Sequence, residues 1–312
     1  MAAVRVEVSV LPDSVLLQIL ALLPPWDRLR AAGVCRRWRR LALDRAVWKH
    51  VDLSQRRLSS GSLWQLLRRV LPAGLSTLRA RGCLLSASRQ RLLSPALLSA
   101  LGKRCPQLRC LALSETDLRR IPYASVPASL TALELRRCEL PISWFHPMAP
   151  SGTLRRLLLH HVPAFADWHL MAASCQHPLR VLSLRGTHRV TEAGLLQAAP
   201  QLKGLRHLEL WGCGAGDATM GAIGSHMKQL RVLEVVDCPV SSAGLGPLKS
   251  LQGLERLCLE LGEKVAPKAV IALAQALPRL RELQIVGACS GMDEIRLSLS
   301  HCSCSHSPQA PD

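Results

Sequence analysis

Aromatic residues are what this chain has least of: its 312 residues include two Phe and one Tyr, and all aromatic types together make up 3%. Hydrophobic residues nevertheless make up 48% of the chain, and leucine dominates among them. A globular enzyme core normally contains more aromatic rings, whereas a core of stacked, similar leucine layers needs few. The composition therefore provides for a sizeable core, disfavours wholesale disorder and favours a repeat protein.

The chain also lacks two kinds of hydrophobic segment. It contains no run of about 18 uncharged apolar residues, which predicts that no part of it spans a membrane. Residues 1–10 do not form a signal peptide, because Arg5 and Glu7 interrupt them and no apolar stretch follows. The 12 Cys are therefore expected to be reduced thiols, in the cytosol, the nucleus or both.

Acidic residues are the minority charge. The chain has 22 Asp and Glu against 40 Lys and Arg, so the net charge is +18. One interpretation is an ordinary solvated basic surface, because a solenoid exposes much area. The other is attraction to acidic partners, with nucleic acid as a further choice. The charge alone leaves both interpretations open.

A leucine pattern recurs along most of the chain. The pattern L-x-x-L-x-L, with another apolar residue in place of the last leucine in three copies, begins nine times, at Leu75, Leu108, Leu130, Leu154, Leu179, Leu205, Leu230, Leu254 and Leu280. After a first interval of 33 residues, the spacing stays between 22 and 26 residues. Residues 48–53 look like a degenerate further copy at the front. Chance does not easily produce such a regular register.

Each copy combines strand and helix signals. The L-x-L centre, such as Leu208 and Leu210, has the period of two that is typical of a strand. A Cys or Thr often follows, as at Cys138 and Thr187, where a small side chain fits inside the turn. Helix signals come next, and the clearest is Pro267 before an alanine-rich segment. The sequence therefore predicts an α/β leucine-rich-repeat horseshoe, with parallel strands inside and helices outside.

A different pattern precedes the repeats. Five apolar side chains between Val15 and Leu23 have helical spacing, and two further short helices are predicted from Trp26 and from Val34. Three helices in about forty residues make only a marginal core, so an exposed apolar face there indicates a partner surface. The alternative is that these helices merely cap the first repeat.

These N-terminal residues resemble an F-box. The matching motifs are Leu11-Pro12-Asp13, the apolar helix to Leu23-Pro24, Asp27-Arg28-Leu29, Val34-Cys35-Arg36-Arg37-Trp38 and the later Trp48. An F-box followed directly by leucine-rich repeats resembles the substrate adaptors of the Skp–cullin–F-box ubiquitin ligases. The resemblance implies binding to a Skp-type adaptor, and through it to cullin and a RING protein, so that substrate proteins are recruited for ubiquitination and degradation. It implies no catalytic residue, metal or cofactor in the chain itself.

The resemblance also assigns residues and domains. It carries the adaptor-binding role onto Leu11, Pro12, Leu16, Ile19, Leu20, Leu23, Val34, Cys35 and Trp38. The basic run 36–40 adds attraction toward an acidic adaptor. The predicted domains are an F-box at 9–50, about nine to ten leucine-rich repeats at 51–290, and a disordered tail at 291–312.

Substrate is expected on the inner face of the horseshoe, where the residues between the core leucines point. The candidates are Arg136, Arg156, His160, Arg185, His207, Trp211 and Val236. A grid that runs from basic to aromatic to mixed suits an acidic or phosphorylated protein segment. Trp211 is predicted to be an exposed interface hot spot. The alternative is that it packs on a neighbouring repeat.

Two further motifs predict no function. The glycine-rich segment 211–217 lacks the G-x-G-x-x-G spacing and a following Lys-Ser/Thr, so no nucleotide site is predicted. His301, Cys302, Cys304 and His306 lack a second ligand pair at zinc-finger spacing, which makes a metal site a weak hypothesis. The alternative function is a basic leucine-rich-repeat module that binds RNA or acidic proteins without a ligase. No membrane partner is expected, and nucleic acid is disfavoured.

Overall fold

The computed structural model describes residues 10–84, 92–145, 152–261, 264–287, 291–299 and 302–307. The chain divides into two units. The first unit comprises residues 1–117 and 124–130, and the second comprises residues 118–123 and 131–312. Among the described helices, none combines the length and the apolar character that crossing a membrane requires.

The first unit starts with helices and continues as alternating strands and helices. Its elements are α1 (Asp13–Leu22), α2 (Pro25–Ala31), α3 (Arg36–Ala42), a 3-10 turn (Arg45–Trp48), β1 (His50–Arg57), α4 (Ser60–Arg69), β2 (Thr77–Arg81), α5 (Pro95–Arg104) and β3 (Cys110–Ser114). The strands β1, β2 and β3 pair in parallel and in chain order. The three N-terminal helices predicted from the sequence are therefore confirmed.

Local sequence signals determine where these helices begin and end. Pro25 occupies the first turn of α2, where its missing N–H leaves no hydrogen bond unmade and its fixed φ suits the helix. The hydroxyl oxygens of Ser59 and Ser94 cap α4 and α5 by accepting the backbone N–H of Ser62 and Leu97, each at 3.2 Å. Such caps stabilise a helix by about 1 kcal/mol each.

The second unit continues with strands and helices as far as Ser307. Its elements are β4 (Ala132–Arg136), β5 (Arg156–His160), α6 (Asp167–Gln176), β6 (Val181–Arg185), α7 (Glu192–Ala198), β7 (His207–Trp211), α8 (Asp217–His226), β8 (Val232–Val236), a 3-10 segment (Ala243–Ser250), β9 (Arg256–Leu261), α9 (Pro267–Gln275), β10 (Glu282–Gly287), α10 (Met292–Ser298) and β11 (Ser303–Ser307). From β4 to β11 each strand pairs in parallel with the next. The α/β class and the parallel repeat strands are confirmed.

The core leucines of the second unit form continuous layers across the strands. One layer joins Leu133, Leu157, Leu182, Leu208 and Leu233, which are paired in register. All five side chains are buried. Burying a leucine side chain stabilises the fold by roughly 1.5–3 kcal/mol, so the repeat register itself supplies much of the core.

The turn after each strand explains the recurrent small residues. One residue in the left-handed conformation follows each strand from β3 to β8, and these residues are Glu115, Arg137, His161, Gly186, Gly212 and Asp237. The next residue points inward: the Thr116 hydroxyl donates to the Ser114 carbonyl at 2.9 Å, and the Cys138 thiol to the Arg136 carbonyl at 3.4 Å. The structural role predicted for these cysteines and threonines is confirmed. Gly212, with φ of 58°, serves this turn.

The end of the chain differs from the predicted disordered tail. Met292 and Ile295 of α10 are buried together with Leu299. β11 pairs with β10 over five residues, from Glu282 with Ser303 to Val286 with Ser307. The prediction of disorder is wrong for residues 291–299 and 302–307, because these apolar side chains have helical spacing and extend the repeat core. Residues 300–301 and 308–312 lie outside the described part of the chain.

Candidate protein-binding surfaces

Helix α1 has two apolar stripes that face in different directions. Leu16 and Leu20, each 2% exposed, face the interior of the first unit. Val15, Ile19 and Leu22 lie at positions i, i+4 and i+7, so they share another face of the helix. They are 36%, 44% and 86% exposed. A helix that is apolar on two faces has more apolar surface than its own unit covers, which is typical of a binding surface.

The nine residues assigned to adaptor binding therefore divide by exposure. Pro12, Ile19, Val34 and Cys35 are exposed, Leu11, Leu23 and Trp38 are half-buried, and Leu16 and Leu20 are buried. The assignment of Leu16 and Leu20 to an accessible surface is wrong, because both fill the core of the first unit. Val15 and Leu22 were absent from the predicted adaptor-binding set. Their spacing through Ile19 was the available signal, but two adjacent apolar stripes do not reveal which one faces inward.

A buried arginine holds the ends of the first helices together. The Arg28 Nε donates to the Leu23 carbonyl at 2.8 Å, and Nη2 donates to the Ala21 carbonyl at 2.7 Å. Its guanidinium lies 5.5 Å from the ring centre of Trp48, whose Nε1 donates to the Ala42 carbonyl at 2.6 Å. Burial lowers the pKa of Arg28. Arg28 of the Asp-Arg-Leu motif, packed against Trp48, thus holds the C-terminal end of α1, the helix that carries the exposed stripe.

Part of the basic run 36–40 is already neutralised. The Asp13 carboxylate at the start of α1 forms ion pairs with Arg37, at 2.7 Å, and with Arg40. The hydrogen bond from Arg37 is the main cause that lowers the pKa of Asp13. These contacts tie α1 to α3. Arg36 and Arg39 remain as exposed charges for the attraction toward an acidic adaptor that the sequence predicts.

The predicted substrate residues of the second unit are aligned on neighbouring strands. Arg136, His160, Arg185, Trp211 and Val236 form one row, each paired with the next from β4 to β8. The other two candidates, Arg156 and His207, occupy a parallel row at the first residues of β5 and β7. The alignment that the repeat register predicts is confirmed, whereas a role in binding substrate stays a prediction.

Most of the charge in this row is neutralised within the unit. The Arg136 Nε lies 2.6 Å from the Glu134 Oε1, and the Arg185 Nε lies 3.0 Å from the Glu209 Oε2. Burial, and then the charges of Arg136 and Arg185, lower the pKa of His160 to about 4, so His160 is neutral at pH 7. The basic part of the predicted grid is therefore largely neutralised, because Glu134 on the same strand pairs with Arg136 and Glu209 on the next strand pairs with Arg185.

Arg185, Glu209, Glu234 and His207 form one half-buried charge network. The Arg185 Nη2 also lies 3.5 Å from the Glu234 Oε2, and the Ser183 hydroxyl donates to Glu209 at 2.5 Å. The His207 Nε2 lies 2.8 Å from the Glu209 Oε1 without aligning as a hydrogen bond. Burial raises the pKa of Glu209, but these contacts outweigh it and lower the pKa to about 2. Burial and the neighbouring Glu209 raise the pKa of Glu234.

Trp211 is part of a buried cluster of side chains from the strands β7 to β10. It is 7% exposed and packs with Val236, Cys258 and Val286, which are 2–3% exposed. The Arg185 guanidinium lies 4.0 Å from its ring centre, and its Nε1 donates to the Glu234 Oε2 at 3.2 Å. The prediction of an exposed hot spot is wrong for Trp211, and Val236 is likewise inaccessible. The alternative, packing on neighbouring repeats, describes the structure.

Two groups of side chains have the chemistry of metal ligands. One ligand atom each of His207, Glu209 and Glu234 lies within 4.8 Å of the others. Because the Arg185 guanidinium already contacts both carboxylates, a metal ion at this position would compete with it. In the tail motif, the Sγ atoms of Cys302 and Cys304 are 3.9 Å apart, while the His306 Nε2 lies 2.9 Å from the Gly287 carbonyl. His301, the remaining member, lies outside the described residues.

Comparisons with known proteins agree with both the helices and the repeats. An F-box-like family model matches residues 8–54. The human F-box/LRR-repeat protein 12 is 40% identical over 285 residues, which cover 89% of this chain and 87% of that protein. The Bos taurus F-box/LRR-repeat protein 12 is 39% identical, with 94% and 93% covered.

A solved structure has a similar fold at low sequence identity. In the crystal structure of the yeast Rad7 and Elc1 complex, one chain matches with a TM-score of 0.57 and 16% identity. The match covers 81% of this chain and 69% of that one. Sequence identity near 40% along most of the length, together with the F-box-like match at the N-terminal helices, shows that this chain belongs to the F-box/LRR-repeat protein family.

Proposed function

We propose that this chain is the substrate-recognition subunit of a Skp–cullin–F-box ubiquitin ligase. Membership of the family supports the general role of a substrate adaptor in an SCF-type ligase. Members of the family are in general subunits without catalytic activity of their own. The finer proposal is that the first unit binds the Skp-type adaptor and the second unit binds a protein destined for ubiquitination and degradation. The cytosol or nucleus as its place of action stays a prediction from the sequence.

The observation that carries the proposal is the exposed stripe of α1. Val15, Ile19 and Leu22 lie on one helix face, and Val34, 67% exposed, follows α2. Fully burying one such side chain contributes roughly 1.5–3 kcal/mol, so a partner that covers the stripe gains several kcal/mol. The exposed Arg36 and Arg39 suit an acidic partner. We propose this surface, with Pro12 and Cys35, for the Skp-type adaptor.

The role of the chain is then to hold two proteins together. A substrate bound to the second unit, while the first unit is bound to the ligase, stays at a high local concentration near the transfer machinery. This mechanism requires binding surfaces and no reactive group on the chain. We propose cullin and the RING protein as partners that are reached through the adaptor.

The test compares aspartate substitutions at exposed apolar positions inside the proposed interface with one at an exposed apolar position in the other unit. The double variant Ile19→Asp/Leu22→Asp of the full chain should lose co-purification with the Skp-type adaptor, because two charges then lie in the proposed interface. Ile142→Asp is the matched control, since Ile142 is 82% exposed and belongs to the second unit. It should retain the adaptor. Thermal unfolding monitored by circular dichroism checks that both variants fold.

Two results would contradict the proposal. Retention of the adaptor at the wild-type level by the double variant excludes the α1 stripe as the docking surface. Failure of the wild-type chain itself to bind the adaptor refutes the ligase role. The alternative of a basic binding module without a ligase is then the remaining explanation.

A further inference from the structure

Four consecutive repeats of the second unit place an arginine at the same position. Arg155, Arg180, Arg206 and Arg231 each directly precede a strand, namely β5, β6, β7 and β8. All four side chains are exposed. We call this set the arginine ladder. It lies at the edge where the strands begin, whereas Arg136, His160, Arg185 and Trp211 lie at their last residues.

Backbone hydrogen bonds hold the rungs of the ladder side by side. The Arg180 N–H donates to the Arg155 carbonyl at 2.7 Å. The Arg206 N–H donates to Arg180, and the Arg231 N–H donates to Arg206, each at 2.8 Å. Neighbouring strands in a sheet are about 4.8 Å apart, so the four anchor points extend over about 14 Å. The backbone positions of the ladder are thus fixed, and each carries a long cationic side chain.

Three of the four ladder arginines differ from Arg185 in having no acidic partner among the described residues. Among the described residues, no carboxylate lies within ion-pair distance of Arg155, Arg180 or Arg206. Arg231 alone is paired, with its Nη1 2.8 Å from the Glu255 Oε1. Arg185, by contrast, contacts two glutamates. Three of the four ladder arginines therefore carry a positive charge that no described carboxylate pairs with.

Two lysines reinforce the ladder, and its ends are defined. Lys203 and Lys228 each lie three residues before a ladder arginine, and both are exposed. The position before β4 is Thr131, whose carbonyl accepts from the Arg155 N–H, and the position before β9 is Glu255. The cationic patch is thus confined to four repeats and bounded by an uncharged and an acidic residue.

We propose that the arginine ladder binds an acidic segment of a substrate protein, in which carboxylate or phosphate groups recur along one side. The inference rests on the proposed function, because it specifies the class of substrate. Guanidinium groups form paired hydrogen bonds with carboxylates and phosphates. Acidic side chains one helical turn apart recur every 5.4 Å, which is close to the rung spacing of about 4.8 Å. Arginine side chains are long enough to absorb the difference.

The surroundings favour a protein over a single-stranded nucleic acid. Proteins that bind single strands combine positive charge with exposed aromatic rings on which bases stack. The second unit has six Phe, Tyr and Trp residues, all described, and Trp168 alone is exposed among them. Trp168 lies in the first turn of α6, next to the carboxyl end of β5 rather than the strand-start edge. The ladder thus has charge without a stacking surface.

The test uses the full chain and two variants with equal changes in charge. Arg180→Glu/Arg206→Glu reverses two rungs. Arg281→Glu/Lys268→Glu is the control, because Arg281 is the exposed residue before β10, beyond Glu255, and Lys268 is exposed on α9. Fluorescence anisotropy at near-physiological salt measures binding of an oligoglutamate peptide, a serine-rich peptide with and without phosphate groups, and oligouridylate RNA.

The expected result is that the ladder variant binds the oligoglutamate or phosphoserine peptide about tenfold or more weakly, while the control changes by less than about twofold. The peptide that binds more tightly identifies carboxylate or phosphate as the preferred group. Equal loss in both variants, or no loss in the ladder variant, overturns the proposal. Tighter binding of oligouridylate that the ladder variant loses also overturns it, in favour of nucleic acid.

Co-purification of the Skp-type adaptor separates this proposal from the proposed function. Both charge variants should retain the adaptor at the wild-type level. A wild-type chain that binds the adaptor but neither acidic peptide refutes the ladder alone. A chain that binds acidic peptide through the ladder but no adaptor refutes the ligase role alone.

Discussion

The apolar side chains of the α1 stripe in the first unit are exposed, whereas those beside the charge network on the strands of the second unit are buried. Leu22 of α1 is 86% exposed, whereas Trp211 of β7 is 7% exposed. Both residues occupy positions outside the main leucine core of their unit. The difference shows that a position outside the core is not the same as an accessible position, because neighbouring side chains decide what remains exposed.

The physical cause lies in the spacing of the elements. In a parallel sheet a neighbouring strand lies about 4.8 Å away on each side, so a large side chain reaches its equivalents on the next strands. Trp211 accordingly packs with Val236 and Cys258. The outer stripe of an isolated helix face has no such neighbour. Neighbouring repeats therefore cover the large side chains on their strands, whereas the α1 stripe remains exposed and available to a partner.

The largest expected effect sharpens this comparison through two alanine variants. Trp211→Ala should lower the free energy of unfolding of the second unit by about 3–5 kcal/mol, because it empties a buried, hydrogen-bonded site. Leu22→Ala should change the stability of the first unit by less than about 0.5 kcal/mol, because the side chain is exposed. Urea unfolding followed by circular dichroism measures both. A change under about 1 kcal/mol for Trp211→Ala would contradict the buried assignment.

The sequence predicted the fold through periodicity and the N-terminal surface through a motif. The leucine register determined which strands pair, and the fit of Thr116 and Cys138 into the turns followed from it. Exposure was harder to predict, because it depends on contacts between repeats that a single copy does not contain. Trp211 was misjudged for this reason, and so was Arg185, whose acidic partners Glu209 and Glu234 come from the next two strands.

The tail and the ladder are two further regions whose structure the sequence did not reveal. The segment from Met292 was predicted to be a disordered tail, although Met292, Ile295 and Leu299 have helical spacing. The arginines before β5, β6, β7 and β8 were present in the same alignment of repeats that revealed the leucines. Its significance depends on the absence of nearby carboxylates among the described residues, which only the packed structure shows for Arg180 and Arg206.

The next expected effect is a difference between the two units in how their stability depends on pH, caused by buried histidines. Burial lowers the pKa of His169 to about 4, against about 6.5 in an unfolded chain. Between these values the unfolded chain binds a proton that the folded unit does not, so the stability of the second unit falls as pH decreases from 6.5 to 4. The loss is on the order of 3 kcal/mol for His169. His160 adds to it in the same direction.

The first unit should respond less, because His160 and His169 both belong to the second unit. The pKa of Asp13 lies below its ordinary value, so its ion pairs persist over the same range. Hydrogen-exchange protection factors of peptides from each unit, compared at pH 7 and pH 4.5, measure the difference. His169→Asn should flatten the pH profile of the second unit. An equal loss of protection in both units would break the comparison.

The smallest of these effects concerns the charge network beside Trp211. Arg185→Met should destabilise the second unit by about 1–3 kcal/mol, because it leaves two half-buried carboxylates without their cation. The Arg185 and Glu209 side chains are 19% and 13% exposed, so solvent screens part of the cost. Arg136→Met is the matched control, since Arg136 is 54% exposed. It should cost less than about 0.5 kcal/mol.

The pH dependence of this cost identifies its origin. In the wild-type unit the contacts of Glu209 hold its pKa at about 2, below the ordinary value of 4.5. Without Arg185 the pKa values of Glu209 and Glu234 both rise, so these carboxylates take up protons at a higher pH than in the wild-type unit and the unpaired charge decreases. The difference in unfolding free energy between Arg185→Met and wild type should therefore shrink from pH 7 to pH 4. The triple variant Arg185→Met/Glu209→Gln/Glu234→Gln should recover most of the loss at pH 7. If the cost persists at low pH and in the triple variant, packing of the Arg185 stem on Trp211, rather than charge, accounts for it.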